Sequence, residues 1–292
     1  MKLFSYTLDG YQGLGVVNPT RPAQFADVAA LLQTHVADPD ALMAQLFDAP
    51  MQQRLAQALA LAGAAVFKPI EAVTFGLPVA HPPKIICMGL NYADHAKEGG
   101  NARPEYPSFF MRGAPSMTPH NAPIIRPRVS TKLDYEAELA VVIGKRARHL
   151  TPDNALGCVF GYSCFNDGSI RDYQRKTAQW TIGKNFDATG GFGPWIVTAD
   201  ELPAGAHGLR VQSRLNGLVM QDGNTRDFLW NVQEALVIIS ECMTLEPGDV
   251  IITGTPAGVG YARTPPVWMA PGDVCEIDIE GVGVLRNTIA DE

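Results

Sequence analysis

The sequence predicts a mostly β fold of the α+β class, preceded by a small N-terminal α/β appendage. The main observation is a succession of short apolar runs from residue 84 onward, separated by Gly, Pro and Asn in the manner of strands and turns. Helical patterns do not alternate regularly with these runs, which argues against a doubly wound parallel sheet. Before residue 76 the chain is rich in Ala, Leu and Gln, and a Pro-rich joint follows at 77–83. We therefore expect two domains, residues 1–76 and residues 77–292.

The predicted strands and helices differ in the period of their apolar residues. The strands are the runs KIICMGL, LDYEAELAVVIG, ALGCVFGYSCFND, LRVQSRLNG, VIITG and VCEIDIEGVGVLRN. A helix is predicted in AQFADVAALLQTHV, with an apolar face formed by Phe25, Val28, Ala29, Leu32 and Val36. A later helix is predicted in WNVQEALVIISECM, with Val232, Leu236, Ile239 and Met243 on one face. The N-terminal segment has few residues suited to chemistry, so we interpret it as a packing or dimer-supporting element.

Composition excludes several classes of protein. Hydrophobic residues make up 46% of the 292 residues and charged residues 18%, which favours a substantial core over disorder. The net charge is -7 and no basic run stands out, so nucleic acid is not an expected partner. No apolar stretch reaches ~18 residues, so no membrane span is expected. The five cysteines include no CxxC pair, and Asp9 and Gly10 come too early for a signal peptide. A cytoplasmic location is the simplest expectation.

Two glutamates in the second predicted strand give the strongest chemical signal. Alternate side chains of a strand share a face, so Glu136 and Glu138 would lie together, followed by the apolar Ala140 and Val142. Two like charges on such a face repel each other unless a cation lies between them. Mg²⁺ and Mn²⁺ prefer carboxylate oxygen, so the pair indicates a divalent-metal site. The alternative is a solvated edge strand that carries two glutamates without a ligand.

A third acid and a short polar helix follow the next strand. Asp167 ends the apolar run VFGYSCF, where it could be a ligand or part of a common Asn-Asp-Gly turn. Arg171 and Gln174 are three residues apart and would share a helical face. An arginine near a metal is suited to a substrate carboxylate, although Arg171 could instead pair with Asp172 or another surface acid.

A histidine and a glutamate lie in another short predicted helix. Asn91 is a suitable N-cap for it, and Gly99-Gly100 would end it. His95 and Glu98 are three residues apart, so the imidazole could act as a general base that the carboxylate orients. HExxH, GxGxxG and GxxxxGK[ST] are absent, and Gly161-Tyr162-Ser163-Cys164-Phe165 lacks the last glycine of a nucleophile elbow. A nucleotide cofactor and a covalent Ser or Cys mechanism are therefore disfavoured.

Taken together and in this order, these segments resemble the fumarylacetoacetate hydrolase family. The resemblance runs from about residue 84 to the C-terminus. The segments that carry it are GLNYADHAKE, PSFFMRG, DYEAELAVVIGK, FGYSCFNDGSIRDYQ, WTIGKNFD, GPWIV, LNG, EPGDVIITGTPAGVG and PGDVCEIDIEGVGVLRN. It implies a mixed β-sandwich roll, a homodimer and a small 2-oxo acid as substrate. It also implies Mg²⁺ or Mn²⁺ held at Glu136, Glu138 and Asp167.

The resemblance also assigns roles around that metal. The positions matching His95 and Glu98 activate water, and Lys184 lies near the substrate and the metal. Arg171, Gln174 and Thr255 match substrate contacts.

Several reactions remain open. Family members hydrolyse the C–C bond of acylpyruvates and diketo acids, decarboxylate oxaloacetate, or isomerise dicarboxylates of aromatic catabolism. Each starts with a 2-oxo acid whose enolate the metal stabilises as a Lewis acid. The presence of both His95 and Glu98 favours hydrolysis, with the carboxy-lyase or isomerase reactions as alternatives. A metal-stabilised binding protein and a structural Ca²⁺ site are the non-enzymatic alternatives, and the second would need more oxygen ligands than three acids supply.

Overall fold

The computed structural model describes residues 1–36, 38–100 and 102–292. Strands are the main secondary structure: β1 (Lys2–Leu8), β2 (Tyr11–Val17), β3 (Gln24–Asp27), β4 (Lys68–Pro69), β5 (Thr74–Phe75), β6 (Ile85–Gly89), β7 (Ser108–Arg112), β8 (Met117–Pro119), β9 (Ile124–Arg126), β10 (Leu133–Asp134), β11 (Ala137–Ile143), β12 (Val159–Asn166), β13 (Ser169–Ile170), β14 (Gly190–Thr198), β15 (Arg210–Leu215), β16 (Leu218–Asn224), β17 (Val250–Ile252), β18 (Val274–Ile279) and β19 (Gly283–Asp291). The α-helices are α1 (Val28–Leu32), α2 (Pro39–Leu46), α3 (Ala49–Ala60), α4 (Ala93–Glu98), α5 (Arg171–Gln174), α6 (Thr181–Lys184) and α7 (Val232–Cys242). Short 3₁₀ turns lie at Ala64–Val66, Ile70–Ala72, Ala114–Ser116, Ala155–Cys158, Ala199–Glu201, Ala204–Ala206, Thr225–Asp227 and Gly260–Ala262.

Most strands belong to one large mixed sheet. Its order is β4-β3-β2-β1-β14-β12-β11-β17-β6-β7, with β5 paired to β1 and β8 paired to β14. The pairs β17–β6 and β14–β8 are parallel, and the remaining pairs are antiparallel. Strand β11 lies between β12 and β17, far from either end of the sheet. The strand with the two glutamates is therefore a central strand, and the solvated edge-strand interpretation is wrong.

A second sheet covers one face of the first. Its order is β16-β15-β18-β19-β9. Leu139 and Val141 of β11 belong to one apolar cluster with Ile277 and Leu285 of the second sheet, and all four are essentially inaccessible to solvent. Ala140 points the other way, into a second cluster that includes residues of the N-terminal helices. The predicted mostly β fold with a mixed sandwich is confirmed, and β11 is buried on both faces.

The N-terminal segment differs from its predicted helix. Residues 24–27 form strand β3, which pairs with β2, and only Val28–Leu32 is helical. Asp27 ends the strand and caps the helix, since its side chain accepts a hydrogen bond from the Ala30 N–H. Phe25 therefore packs in an aromatic cluster of the hairpin rather than on the helix. The apolar spacing predicts one helix, but a strand and a short helix bury successive parts of the same apolar run.

The later predicted helix is confirmed as α7. Asn231 and Glu234 form a reciprocal capping box at its start. Its buried face includes Val232, Leu236 and Ile239, whereas Met243, predicted on the same face, is the extended C-cap residue after the helix. Among the described residues, no helix is long and apolar enough to cross a membrane.

Candidate active site

Three buried carboxylates meet where the start of β11 lies beside the end of β12. Glu136 precedes β11, Glu138 lies within it, and Asp167 directly follows the neighbouring strand β12. One oxygen of each lies within 4.8 Å of the others. Antiparallel pairing of Ala137 with Asn166 brings the start of β11 beside the end of β12, which explains how Asp167 meets acids 29 and 31 positions before it. The Asp167 N–H donates to the Glu136 carbonyl and fixes this register.

Lys184 lies between two of these acids. Its Nζ is 2.6 Å from Oε2 of Glu136 and 2.6 Å from Oδ2 of Asp167. Helix α6 can deliver this side chain because Gly183 packs against α5, where an added Cβ would lie 2.3 Å from the Gln174 backbone nitrogen. Burial lowers the Lys184 pKa, but the charges of Asp167 and Glu136 outweigh it and raise the pKa above its usual value.

Two arginines complete the charged group. Arg112 donates through Nη1 to Oδ1 of Asp167 and through Nη2 to Oγ1 of Thr189, 3.0 Å away. Arg171 donates through Nε to Oδ2 of Asp134 at 2.8 Å, and its Nη2 lies 2.7 Å from Oε1 of Glu136 without hydrogen-bond geometry. Burial raises the Glu136 pKa, but Lys184 and Arg171 together hold it well below its usual range. The alternative that Arg171 pairs with Asp172 is wrong, because Asp172 accepts from Ser130 instead.

Glu138 has no cationic partner among the described residues. Its hydrogen bond comes from the Gly254 backbone N–H. Burial raises its pKa well above the usual value, and the charges of Asp167 and Glu136 raise it further. This environment disfavours ionisation of Glu138, and a cation in the group would favour it.

The charge balance of the site fits a divalent ion. With Glu138 ionised, as a metal ligand would be, four buried acids face three buried cations and the group carries one negative charge: Asp134, Glu136, Glu138 and Asp167 against Arg112, Arg171 and Lys184. A doubly charged ion would turn this into one positive charge, which suits an anionic substrate. Carboxylate oxygens are also the donors that Mg²⁺ and Mn²⁺ prefer. The three acids therefore fit such an ion.

The His95–Glu98 pair lies beside these acids. Nδ1 of His95 is 2.9 Å from Oε1 of Glu98, and Oε2 of Glu98 accepts from the Gly258 N–H at 2.8 Å. The expected N-cap was wrong, because Tyr92 occupies that position and Asn91 serves a tertiary contact. The Asn91 amide donates to the carbonyls of Trp230 and Thr253, and those long-range bonds outweigh local capping.

A cavity of about 280 Å³ opens onto these groups. Eight of the nine residues predicted from the sequence line it: His95, Glu136, Glu138, Asp167, Arg171, Gln174, Lys184 and Thr255. The ninth, Glu98, does not line the cavity but is hydrogen-bonded to His95, which does. Thr255 is buried there, and its Oγ1 accepts a hydrogen bond from Nε2 of Gln221 at 2.7 Å.

Sequence reasoning missed several residues of the site. Arg112 and Asp134 anchor Asp167 and Arg171, although neither lines the cavity. Asp134 also accepts from the backbone N–H groups of Gly260 and Tyr261. Arg112 is far from Asp167 in the chain, and Asp134 is far from Arg171, so no local spacing predicts either contact. Arg175 and Trp180 line the cavity as well.

The β-sandwich, the three clustered carboxylates and the His–Glu pair in one cavity together suggest a protein with a divalent-metal site. The chain belongs to the fumarylacetoacetate hydrolase family, because the family model described as "Fumarylacetoacetate (FAA) hydrolase C-terminal" matches residues 84–290. The chain is 40% identical over 232 residues to human mitochondrial oxaloacetate tautomerase FAHD2A, covering 79% of this chain and 74% of that one. The family is one of enzymes.

Two solved structures resemble the whole chain. Fumarylacetoacetate hydrolase from Exiguobacterium antarcticum superposes with a TM-score of 0.84 and 36% identity, covering 100% of both chains. Maleylpyruvate hydrolase from Sphingobium sp. SYK-6, in complex with manganese(II) and pyruvate, gives a TM-score of 0.81 and 30% identity. That match covers 100% of this chain and 99% of the other.

Proposed function

We propose that the chain is a divalent-metal-dependent hydrolase that cleaves the C–C bond of an acylpyruvate or a related diketo acid. The observation that carries the proposal is the His95–Glu98 pair, joined at 2.9 Å in the cavity that also holds the three acids. Hydrolysis needs a base for water as well as a site for the 2-oxo acid. This cavity offers both.

Glu136, Glu138 and Asp167 would hold the metal, which we propose is Mg²⁺ or Mn²⁺. When bound, such an ion supplies Lewis-acid stabilisation of negative charge on the oxygens of a 2-oxo acid. The manganese complex of the maleylpyruvate hydrolase supports this choice. Arg112 holds Oδ1 of Asp167, so the orientation of that carboxylate is fixed before any ligand binds.

The His95–Glu98 pair accounts for water activation. With its Nδ1–H donated to Glu98, His95 has a lone pair on Nε2 that can accept a proton from water. The hydroxide adds to the distal carbonyl carbon, and the C–C bond to the pyruvyl methylene breaks. The proton then passes to that methylene carbon, which releases pyruvate and a carboxylic acid. Glu98 keeps the ring in place because its other oxygen is held by the Gly258 N–H.

Lys184, Arg171, Gln174 and Thr255 are proposed to position the substrate. Lys184 lies close enough to the acids to reach a bound 2-oxo acid. Arg171 is rigid, since Asp134 and Gln174 accept from it. Thr255 presents a hydroxyl oriented by Gln221. These groups would fix the proximal end of the substrate while the distal carbonyl meets His95.

Oxaloacetate chemistry, tautomerisation or decarboxylation, is the second candidate. The 40% identity to the human tautomerase favours it. Both reactions use the same acids, but decarboxylation needs no activated water and should depend less on His95. The alternative of a binding protein without chemistry would leave the His95–Glu98 pair without a role.

A substrate panel tests the proposal. Acylpyruvates, oxaloacetate and simple 2-oxo acids are assayed near neutral pH with Mg²⁺, with Mn²⁺ and with a chelator. We expect acylpyruvate cleavage with either metal and none with chelator. Much faster turnover of oxaloacetate than of any acylpyruvate would favour the second candidate. No turnover of any compound would favour a binding protein.

We also propose a homodimer. Strand β7 ends the large sheet and presents the partly exposed apolar side chains of Phe109 and Met111, with Tyr106 exposed just before it. Light scattering at micromolar concentration should give twice the chain mass of 31.5 kDa. A monomeric mass would contradict this. The cytoplasmic location and a role in aromatic catabolism stay proposals.

A further inference from the structure

Arg175 differs from every other cation in the cavity wall. Arg171 and Lys184 also line the cavity, and both are ion-paired with buried acids. Arg175 forms no ion pair or side-chain hydrogen bond with any residue that the structure describes. Its guanidinium carbon lies 4.3 Å from the ring centroid of Tyr261. Its positive charge is therefore available to a ligand.

The position of Arg175 places that charge at the outer part of the cavity. Arg175 follows α5 directly and is four residues after Arg171, so the two side chains start from the same helical face about one turn apart. Arg171 is buried against the acids, whereas Arg175 is exposed. Both guanidinium groups lie over the ring of Tyr261, which limits where Arg175 can move. A ligand that fills the cavity from the acids outward would meet Arg175 at its far end.

We infer that Arg175 is a second anion subsite, and that it selects 2-oxo acids with a carboxylate at the end remote from the 2-oxo group. An arginine over an aromatic ring presents its remaining N–H groups in a plane that matches a carboxylate. The inference rests on the proposed function for the orientation of the substrate, with its 2-oxo end at the three acids. It adds the residue that would distinguish a remote carboxylate from an apolar tail.

Matched pairs of 2-oxo acids test this by binding, without turnover. 2-Oxoglutarate and 2-oxopentanoate have the same five-carbon chain and differ only in a terminal carboxylate or methyl group. 2-Oxoadipate and 2-oxohexanoate form a second pair, one carbon longer. Titration calorimetry on the Mn²⁺-loaded protein gives the affinity ratio within each pair. We expect the diacid to bind about tenfold more tightly, or better, in at least one pair, as for a charge-assisted hydrogen bond.

The variant Arg175→Gln should remove this preference. It should weaken binding of the preferred diacid roughly 10- to 100-fold and leave its methyl counterpart within about twofold. Lys176→Gln is the matched control, because it removes a neighbouring exposed cation that does not line the cavity. Equal weakening in both variants would mean general electrostatics and would overturn the inference. So would an unchanged ratio in Arg175→Gln, no diacid preference in the wild type, or no binding of any of the four acids. Failure of the proposed hydrolysis shows separately, in the turnover assay.

Discussion

The Nζ atom of Lys184 lies 2.6 Å from Oδ2 of Asp167, in a contact from which solvent is almost completely excluded. The same ammonium pairs with Glu136. Lys184 therefore pairs with two of the three acids that are proposed to hold the metal. Its removal should affect stability, metal binding and activity in different directions.

Lys184→Met should destabilise the metal-free protein and abolish turnover, but keep metal binding. Breaking a buried ion pair by removing one partner costs about 3–5 kcal/mol, because the acids lose their counter-charge. A metal ion would restore that charge, so Mg²⁺ or Mn²⁺ affinity should be equal to or higher than that of the wild type. Thermal unfolding with and without metal, together with calorimetry, measures both effects. Lys176→Met is the control, and a variant that no longer binds metal would contradict the assignment.

Glu138→Gln should separate stability from metal binding in the opposite sense. Glu138 is buried beside two other acids, and its pKa is raised mainly by burial. Since glutamine has the same shape without the charge, the metal-free variant should be at least as stable as the wild type. Metal affinity and activity should be lost together, because a proposed ligand is gone. The exposed Glu241→Gln serves as control, and normal Mg²⁺ binding by Glu138→Gln in calorimetry would show that the ligand assignment is wrong.

His95→Ala should lower kcat for an acylpyruvate by ~10²- to 10⁴-fold, the usual contribution of a general base. Metal affinity should barely change, because His95 is not among the three clustered acids. Oxaloacetate decarboxylation should fall much less, since it needs no activated water. Steady-state rates on both substrates give the comparison, with the exposed His207→Ala as control. Acylpyruvate cleavage that survives nearly intact would remove the basis of the hydrolase proposal.

His120 should make the protein less stable as the pH falls below about 6.5. Burial lowers its pKa from 6.5 to about 4, and the charge of Arg286 adds to the effect. Between those two values the unfolded chain binds a proton that the folded protein does not, so stability falls with pH by at most about 1.4 kcal/mol per unit. Above pH 6.5 the contribution of His120 is constant.

Urea unfolding at several pH values checks this in His120→Gln against the wild type. The Nδ1 atom of His120 accepts the Arg286 N–H at 3.1 Å, and a glutamine oxygen is a substitute acceptor. The difference in unfolding free energy should be flat above pH 6.5 and change steadily between about 6 and 4. A difference that does not vary with pH would refute the prediction, and His207→Gln controls for histidine removal in general.

The cluster of three acids was predictable because strand geometry decides it. Side-chain alternation put Glu136 and Glu138 on one face, and the structure brings their carboxylates together even though β11 begins only at Ala137. The end of the next buried strand located Asp167. His95 and Glu98 were equally accessible to sequence reasoning, since a spacing of three residues in a short helix is enough to pair them.

The residues that sequence reasoning missed depend on tertiary contacts. Arg112 meets Asp167 across 55 positions of the chain, and Asn91 meets Trp230 across 139. Such long-range contacts leave no periodic pattern in the sequence from which they could be predicted. Asn91 was predicted as a cap because local chemistry allows it, and the long-range bonds to backbone carbonyls prevailed. Phe25 was misassigned for a related reason, since pairing with β2 outweighed its helical spacing.

The first strand of the chain protects the sheet that carries the site. Residues 196–197 of β14 pair with β1, on the same side where residues 190–192 pair with β8. If residues 1–76 were deleted, that stretch would expose unpaired N–H and C=O groups beside the buried Ile196, ready to recruit strands of other molecules. By pairing with this edge, the N-terminal hairpin should oppose self-association by strand addition. It would thereby favour solubility as well as stability of the fold.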